Sequence, residues 1–125
     1  MKIWLDDART PPEQLEYDLM GSPTNPSTGW CWCKTAHEAW VYMATGLVDE
    51  ISFDHDLGDG KNGYDVACWF EFHAYCRTLP RVKWHVHSGN PAGRLNIIAA
   101  MTQAEKFWDR KICREAKPYI APTTL

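Results

Sequence analysis

Short apolar runs alternate with polar loops along the chain, and the period of the apolar positions switches between two and about four in a regular order. Residues 2–5 (KIWL) are apolar and stop abruptly at Asp6-Asp7, with Pro11-Pro12 barring an immediate helix, so a buried strand followed by a loop is expected. From Thr10 to Gly29 prolines and glycines interrupt any period, apart from a helical turn in EQLEYDLM (13–20), and an irregular connection is expected there. Residues 30–33 (WCWC) read as a second strand with both thiols on one face. Thr35-Ala-His-Glu38 has the spacing of a capping box, in which Thr35 accepts from the Glu38 backbone N–H and the Glu38 side chain reaches back; the helix it opens runs to Gly46. Glu50–Asp54 (EISFD) predicts strand three, Gly63–Leu79 a helix closed by Pro80, and Val82–Ser88 (VKWHVHS) an alternating strand four. A last helix is expected over Ala92–Trp108, with Leu95, Ile98, Met101, Thr102 and 104–107 at helical spacing.

Strands alternating with helices imply right-handed crossovers and a largely parallel sheet of four or five strands in an α/β domain. Ligands of such sheets bind at the carboxyl ends of the strands. Asp6 and Asp7 close strand one, Asp54 closes strand three and His87-Ser88 close strand four, so three distant parts of the sequence converge on one edge.

Composition narrows the picture. A chain of 125 residues with 45% hydrophobic content fits one domain, residues 1–125, with 10–29 as an irregular insertion and 110–125 as a C-terminal tail. A net charge of -3 gives no basic footprint for an extended duplex and leaves a nucleotide or a strand end open as a partner. No apolar run reaches membrane-span length, so no membrane partner is expected. MKIWLDD lacks the shape of a signal peptide and the five cysteines follow no secreted-scaffold pattern, so a cytoplasmic location is expected. Cys31-x-Cys33 is too tight for a zinc knuckle. The seven tryptophans are expected in the core or a groove wall, with base stacking as the sharper alternative.

Two or three carboxylates at adjacent strand ends repel one another unless a cation lies between them, and a hard divalent ion such as Mg2+ or Mn2+ suits their oxygens. The plainer alternative is that Asp6 or Asp7 caps the following turn while Asp54 accepts N–H bonds in its own loop. His55 follows Asp54 directly and is the foremost acid–base candidate; His87 is near the edge, His85 is mid-strand and expected to be packed, and His37 and His73 lie in helices. Asp59, Lys61 and Asn62 are expected in a solvated turn. Arg94, in the first turn of the last helix, sits beside an N-terminus suited to phosphate.

Leu5-Asp6-Asp7, ISFDHDLG, GYDVA and VHSGNPAGRLNI together resemble response-regulator receiver domains, and more closely their cyclic-phosphate-processing branch. The resemblance covers residues 1–9 and about 34–108. It implies a receiver-like (flavodoxin-like) three-layer fold, with Asp6, Asp7 and Asp54 at the Mg2+-binding positions, Asp54 at the phosphoacceptor position and Ser88 at the small hydroxyl position after strand four. Three features depart from a phospho-receiver: the strand-five lysine has only Lys117-Pro118 as a counterpart, the Pro-rich segment replaces the first helix, and His55, Asp56, His85, His87 and Asn90 are added near the edge. The branch implies processing of cyclic phosphates on nucleotides or RNA ends, in RNA-repair and biological-conflict settings. In that chemistry Asp6, Asp7, Asp54 and Asp56 are the expected metal ligands, Asp54, His55 and His87 the catalytic groups, and Ser88, Asn90 and Arg94 the phosphate contacts. Two alternatives stand beside this hydrolase: a nucleotide-signal sponge or sensor without turnover, and a stand-alone phosphoacceptor receiver.

Overall fold

The computed structural model describes residues 1–11, 29–58 and 60–110. Four strands, β1 (Lys2–Leu5), β2 (Trp30–Cys33), β3 (Glu50–Phe53) and β4 (Lys83–Val86), form one all-parallel sheet in the order β2-β1-β3-β4. Helix α1 (Ala36–Met43) joins β2 to β3, α2 (Gly63–Cys76) joins β3 to β4, and α3 (Pro91–Asp109) follows β4. This is the receiver-like, flavodoxin-type α/β arrangement. The helical turn expected at 13–20, most of the 10–29 insertion, Asp59 and the tail from 111 with Lys117 lie outside the described residues.

The alternation of each strand decides its two faces. Ile3, Leu5, Cys33, Ile51 and Phe53 are fully buried and share one apolar cluster with Ala36, Ala39 and Met43 of α1, Val66, Ala67 and Phe70 of α2, and Ile97, Ala100 and Met101 of α3. Phe53 meets Phe70 edge to face, and the Trp84 indole N–H donates to Glu105 of α3. All three helices therefore lie on one face of the sheet. The opposite face carries Trp4, Trp30, Ser52, His85 and His87, with Trp4 and Trp30 ring to ring and outside the apolar cluster. Among the described residues no helix lies on that face, and none is long and apolar enough to cross a membrane.

Several boundaries differ from the sequence expectations for local reasons. Helix α2 stops at Cys76 instead of Leu79, because Arg77 takes a left-handed conformation (φ 56, ψ 38) and closes it three residues early. Asn62, expected as solvated turn, caps α2: its side chain accepts from Asp65 N while the Asp65 carboxylate accepts from Asn62 N, a full capping box. At α1 the box is half made, since Thr35 Oγ1 accepts from Glu38 N but Glu38 reaches Lys34 N instead. The buried stripe of α3 is Gly93, Ile97, Ala100, Met101 and Ala104, which leaves Leu95 66% exposed. His85 is also exposed, and its Nε2 meets Glu50 3.0 Å away across the sheet surface in place of the expected packed position.

One glycine ties the fold to the site. A Cβ on Gly63 would stand 1.9 Å from the backbone oxygen of Asp54, so the start of α2 closes directly on the end of β3. The Gly63 N–H also donates to His55 O at 2.8 Å. Gly63→Ala is expected to cost about 3 kcal/mol, read from urea unfolding, because backbone rather than a flexible side chain is in the way. Wild-type stability in that variant would mean that the loop 54–63 yields freely.

Candidate active site

The parallel register carries the site. Leu5 pairs with Phe53 and Phe53 with Val86, so the next residue on each strand, Asp6, Asp54 and His87, falls side by side one rung further along. The ladder continues there, with Asp54 N donating to Leu5 O, His87 N to Phe53 O and Asp6 N to Cys33 O. β1 and β3 are neighbours whose connections run to opposite edges of the sheet, which is where such folds leave a crevice. Asp7 projects beside them, exposed, near Gly58 of the loop after β3. Oxygens of Asp6, Asp7 and Asp54 all lie within 4.8 Å of one another. They form the all-oxygen donor set that a hard divalent cation takes.

The two buried acids are in opposite electrostatic states. Burial pushes Asp6 up, but the backbone N–H groups of Arg9 and Ala8, the His87 ring and the Arg9 charge outweigh it and hold Asp6 below the usual carboxylate range. Asp54 is raised, by burial first and then by the Asp6 charge, against one backbone N–H from His55. Part of the plainer sequence alternative is therefore real: Asp6 accepts from Ala8 N at 2.9 Å and Arg9 N at 2.7 Å, and so caps its turn. Asp54, by contrast, is left with too little compensation for its charge, and a cation beside it relieves that deficit.

His87 is held on every side. Its Nε2 lies 3.0 Å from Asp6 Oδ2, its Nδ1 lies 2.8 Å from Ser52 Oγ, and its ring stacks on Trp4 with centroids 3.8 Å apart and planes 4° from parallel. An ionised carboxylate only accepts, so Nε2 carries the proton and donates to Asp6, while neutral Nδ1 accepts from the Ser52 hydroxyl. Burial lowers the His87 pKa despite the opposing pull of Asp6. Serine, histidine and aspartate are linked as in a nucleophilic triad, yet Ser52 is only 3% exposed and sits within the sheet, where no substrate carbonyl or phosphate reaches it. The chain of contacts fixes the Asp6 carboxylate instead. His87→Ala strands the Ser52 hydroxyl, removes one Asp6 partner and empties the space over Trp4, for an expected loss of about 2–3 kcal/mol in urea unfolding. Because the folded pKa of His87 lies below its unfolded value, its contribution is present above the ordinary histidine value of 6.5 and is lost as pH falls from there through the folded value. The variant should lack that step, and a persisting step would assign it to another group.

His55 belongs to a second group at the same edge. Its Nδ1 meets Asp56 Oδ1 at 2.9 Å, and the Asn90 amide lies 3.4 Å from the same oxygen. Asp56 is the acceptor, so Nδ1 carries the proton and Nε2 is left with a free lone pair. The hydrogen bond from His55 holds Asp56 below the usual carboxylate range. The imidazole packs against Gly93, where a Cβ would stand 2.2 Å from its ring, and Gly93 N donates to the capping Asn90 Oδ1 at 3.0 Å. Asp56, expected among the metal ligands, thus faces His55 and Asn90 and does not join the cluster of Asp6, Asp7 and Asp54. Ser88 Oγ accepts from Asn90 N at 3.1 Å, and Arg94 Nη1 donates to Val86 O at 2.5 Å, which keeps both at the end of β4.

Arg9 was not singled out in the sequence. Its Nε lies 3.1 Å from Asp6 Oδ2, and its Nη2 lies 3.4 Å from Asp54 Oδ1 and 3.1 Å from His87 O. A lone basic residue in the loop directly after an acid pair was the available signal. Trp4 and Ser52 were missed as well, although each sits two residues before a site aspartate and therefore on the same face.

Compared with known families, residues 1–103 match the cyclic-phosphate processing receiver domain. No curated protein and no solved structure matches the chain. The match runs from β1 through most of α3 and takes in every residue of both groups at the sheet edge, and by it the chain belongs to the cyclic-phosphate processing receiver domain family.

Proposed function

We propose that the protein hydrolyses a cyclic phosphate on a nucleotide or an RNA end, with Mg2+ or Mn2+ held by Asp6, Asp7 and Asp54. The observation that carries this reading is the pairing of an oxygen cluster with a separate, oriented histidine at one sheet edge. When bound, a divalent ion there supplies positive charge to the nonbridging phosphate oxygens. His55 takes a proton from the attacking water through Nε2, with Asp56 accepting from Nδ1–H and stabilising the imidazolium that forms. The water oxygen bonds to phosphorus, one ester bond to a sugar oxygen breaks, and that oxygen leaves with the proton that His55 took up, so a cyclic diester becomes a phosphomonoester. Arg94 and the polar groups of Ser88 and Asn90 hold the phosphate at the start of α3. His87 is the positioning residue for Asp6, since both of its ring nitrogens are engaged.

The test is incubation with nucleoside 2′,3′-cyclic phosphates, a cyclic-phosphate-ended oligonucleotide and cyclic dinucleotides in Mg2+ or Mn2+, followed by chromatography. A new phosphomonoester or linear product is expected. Ligand that co-elutes unchanged would make the protein a binder, and phosphoryl transfer from acetyl phosphate to Asp54 would make it a phosphoacceptor.

A further inference from the structure

Asp6 has no acceptor site to spare. Its Oδ1 takes the backbone N–H groups of Ala8 and Arg9, and its Oδ2 takes Arg9 Nε at 3.1 Å and His87 Nε2 at 3.0 Å. An ionised carboxylate offers about four lone-pair sites, so a cation that takes an Asp6 oxygen displaces a present partner. Three of the four are fixed. Two are backbone groups of the turn that Asp6 itself caps, and His87 is clamped between Ser52 and the Trp4 ring. The fourth, the Arg9 side chain, is 55% exposed and has open solvent to move into. Its guanidinium also spans to Asp54, the acid whose charge is otherwise least compensated, and among the described residues its far end is anchored by His87 O.

We propose that Arg9 is an exchangeable counter-ion built into the acid cluster: the guanidinium and a divalent cation compete for Asp6 and Asp54, so Arg9 sets the threshold concentration at which the cation binds. The inference rests on the divalent-ion reading given above. One guanidinium brings a single positive charge to two carboxylates, whereas the divalent ion brings two and adds Asp7, so exchange is favourable once the ion is abundant enough. Lysine at this position keeps the charge but lacks the planar fork that meets two carboxylates at once.

Mn2+ binding, followed by electron paramagnetic resonance and by the Tm shift that Mn2+ produces, separates the possibilities in wild type, Arg9→Gln and Arg9→Lys. Arg9→Gln is expected to bind Mn2+ at least tenfold more tightly, with Arg9→Lys in between. Without the ion Arg9→Gln should melt below wild type, because Asp6 and Asp54 face each other unbalanced, and its Tm should rise further on Mn2+ addition. Should Arg9→Gln fold poorly, Arg9→Lys alone still carries the comparison. Mn2+ affinity equal to or weaker than wild type in both variants would overturn the competition while leaving the divalent site intact. An absence of Mn2+ binding in all three proteins would remove the divalent site and the competition with it.

Discussion

Asp54→Asn is expected to weaken divalent binding at least tenfold and to lower turnover of a cyclic phosphate by about 10^2–10^3, while the metal-free protein melts higher than wild type. The last effect separates this residue from an ordinary buried aspartate. Burial and the neighbouring Asp6 charge raise the Asp54 pKa, so its ionised form is strained in the fold and an isosteric amide removes that strain. The His55 N–H keeps its acceptor in the amide oxygen. Relief worth about 1 kcal/mol would appear as a Tm increase of roughly 3–6 °C. The sign follows from linkage. A carboxyl whose folded pKa lies above its unfolded value binds more protons when folded, so wild-type stability falls as pH rises through the window between the ordinary value of 3.8 and the raised one. Asp6 works the other way: its depressed pKa gives stability that is present above 3.8 and lost as pH falls through the folded value. Calorimetry of wild type and Asp54→Asn across acidic pH, with and without Mn2+, checks both. A variant that melts lower in metal-free buffer would show that Asp54 is already balanced by Arg9.

His55→Ala should separate rate from binding. Turnover is expected to fall by about 10^2–10^4, the range for a lost general base, while Mn2+ affinity stays within about twofold, because the ring is turned toward Asp56 and Asn90 and not into the acid cluster. Asp56→Asn should act in the same direction by roughly 10- to 100-fold, since the amide oxygen can still accept from Nδ1–H but the charge that stabilises the imidazolium is gone. The split between rate and affinity is the more telling readout, because a ligand or purely structural role for the ring would lower both together. A parallel loss of Mn2+ affinity in His55→Ala would make the histidine a ligand, and the base would have to be sought elsewhere.

The strand-to-edge logic was legible because it depends on features that are local in sequence. Apolar runs ending in Asp6, Asp54 and His87-Ser88 mark strand ends, and parallel topology then brings those ends together without further information. What the side chains do once there was less legible. His87 looked like an acid–base group from its position, yet its alternation partner Ser52 and the Trp4 ring two residues before Asp6 capture it, a consequence of register that no single segment reveals. Asp56 looked like one more ligand beside Asp54, but successive residues leaving a strand point in different directions, and the Gly93 gap at the start of α3 draws His55 and Asp56 toward the last helix. Arg9 left only a faint signal because an exposed arginine in a loop is ordinary, and its significance comes from the four-fold saturation of Asp6. The buried stripe of α3 slipped by one or two positions for a related reason: Leu95 fits the helical period as well as Ile97 does, and contact with β4 and α2 decides between them.

The most direct measurement is phosphorus NMR of a nucleoside 2′,3′-cyclic phosphate, an oligonucleotide bearing the same end and a cyclic dinucleotide, each followed in time with wild type and Asp54→Asn, in Mg2+ and again after chelation. A phosphomonoester signal that grows with wild type in Mg2+, stops on chelation and is absent with the variant is the expected result. Growth at the same rate in chelator or with Asp54→Asn, or no new signal from any of the three, would contradict divalent-dependent hydrolysis at this edge.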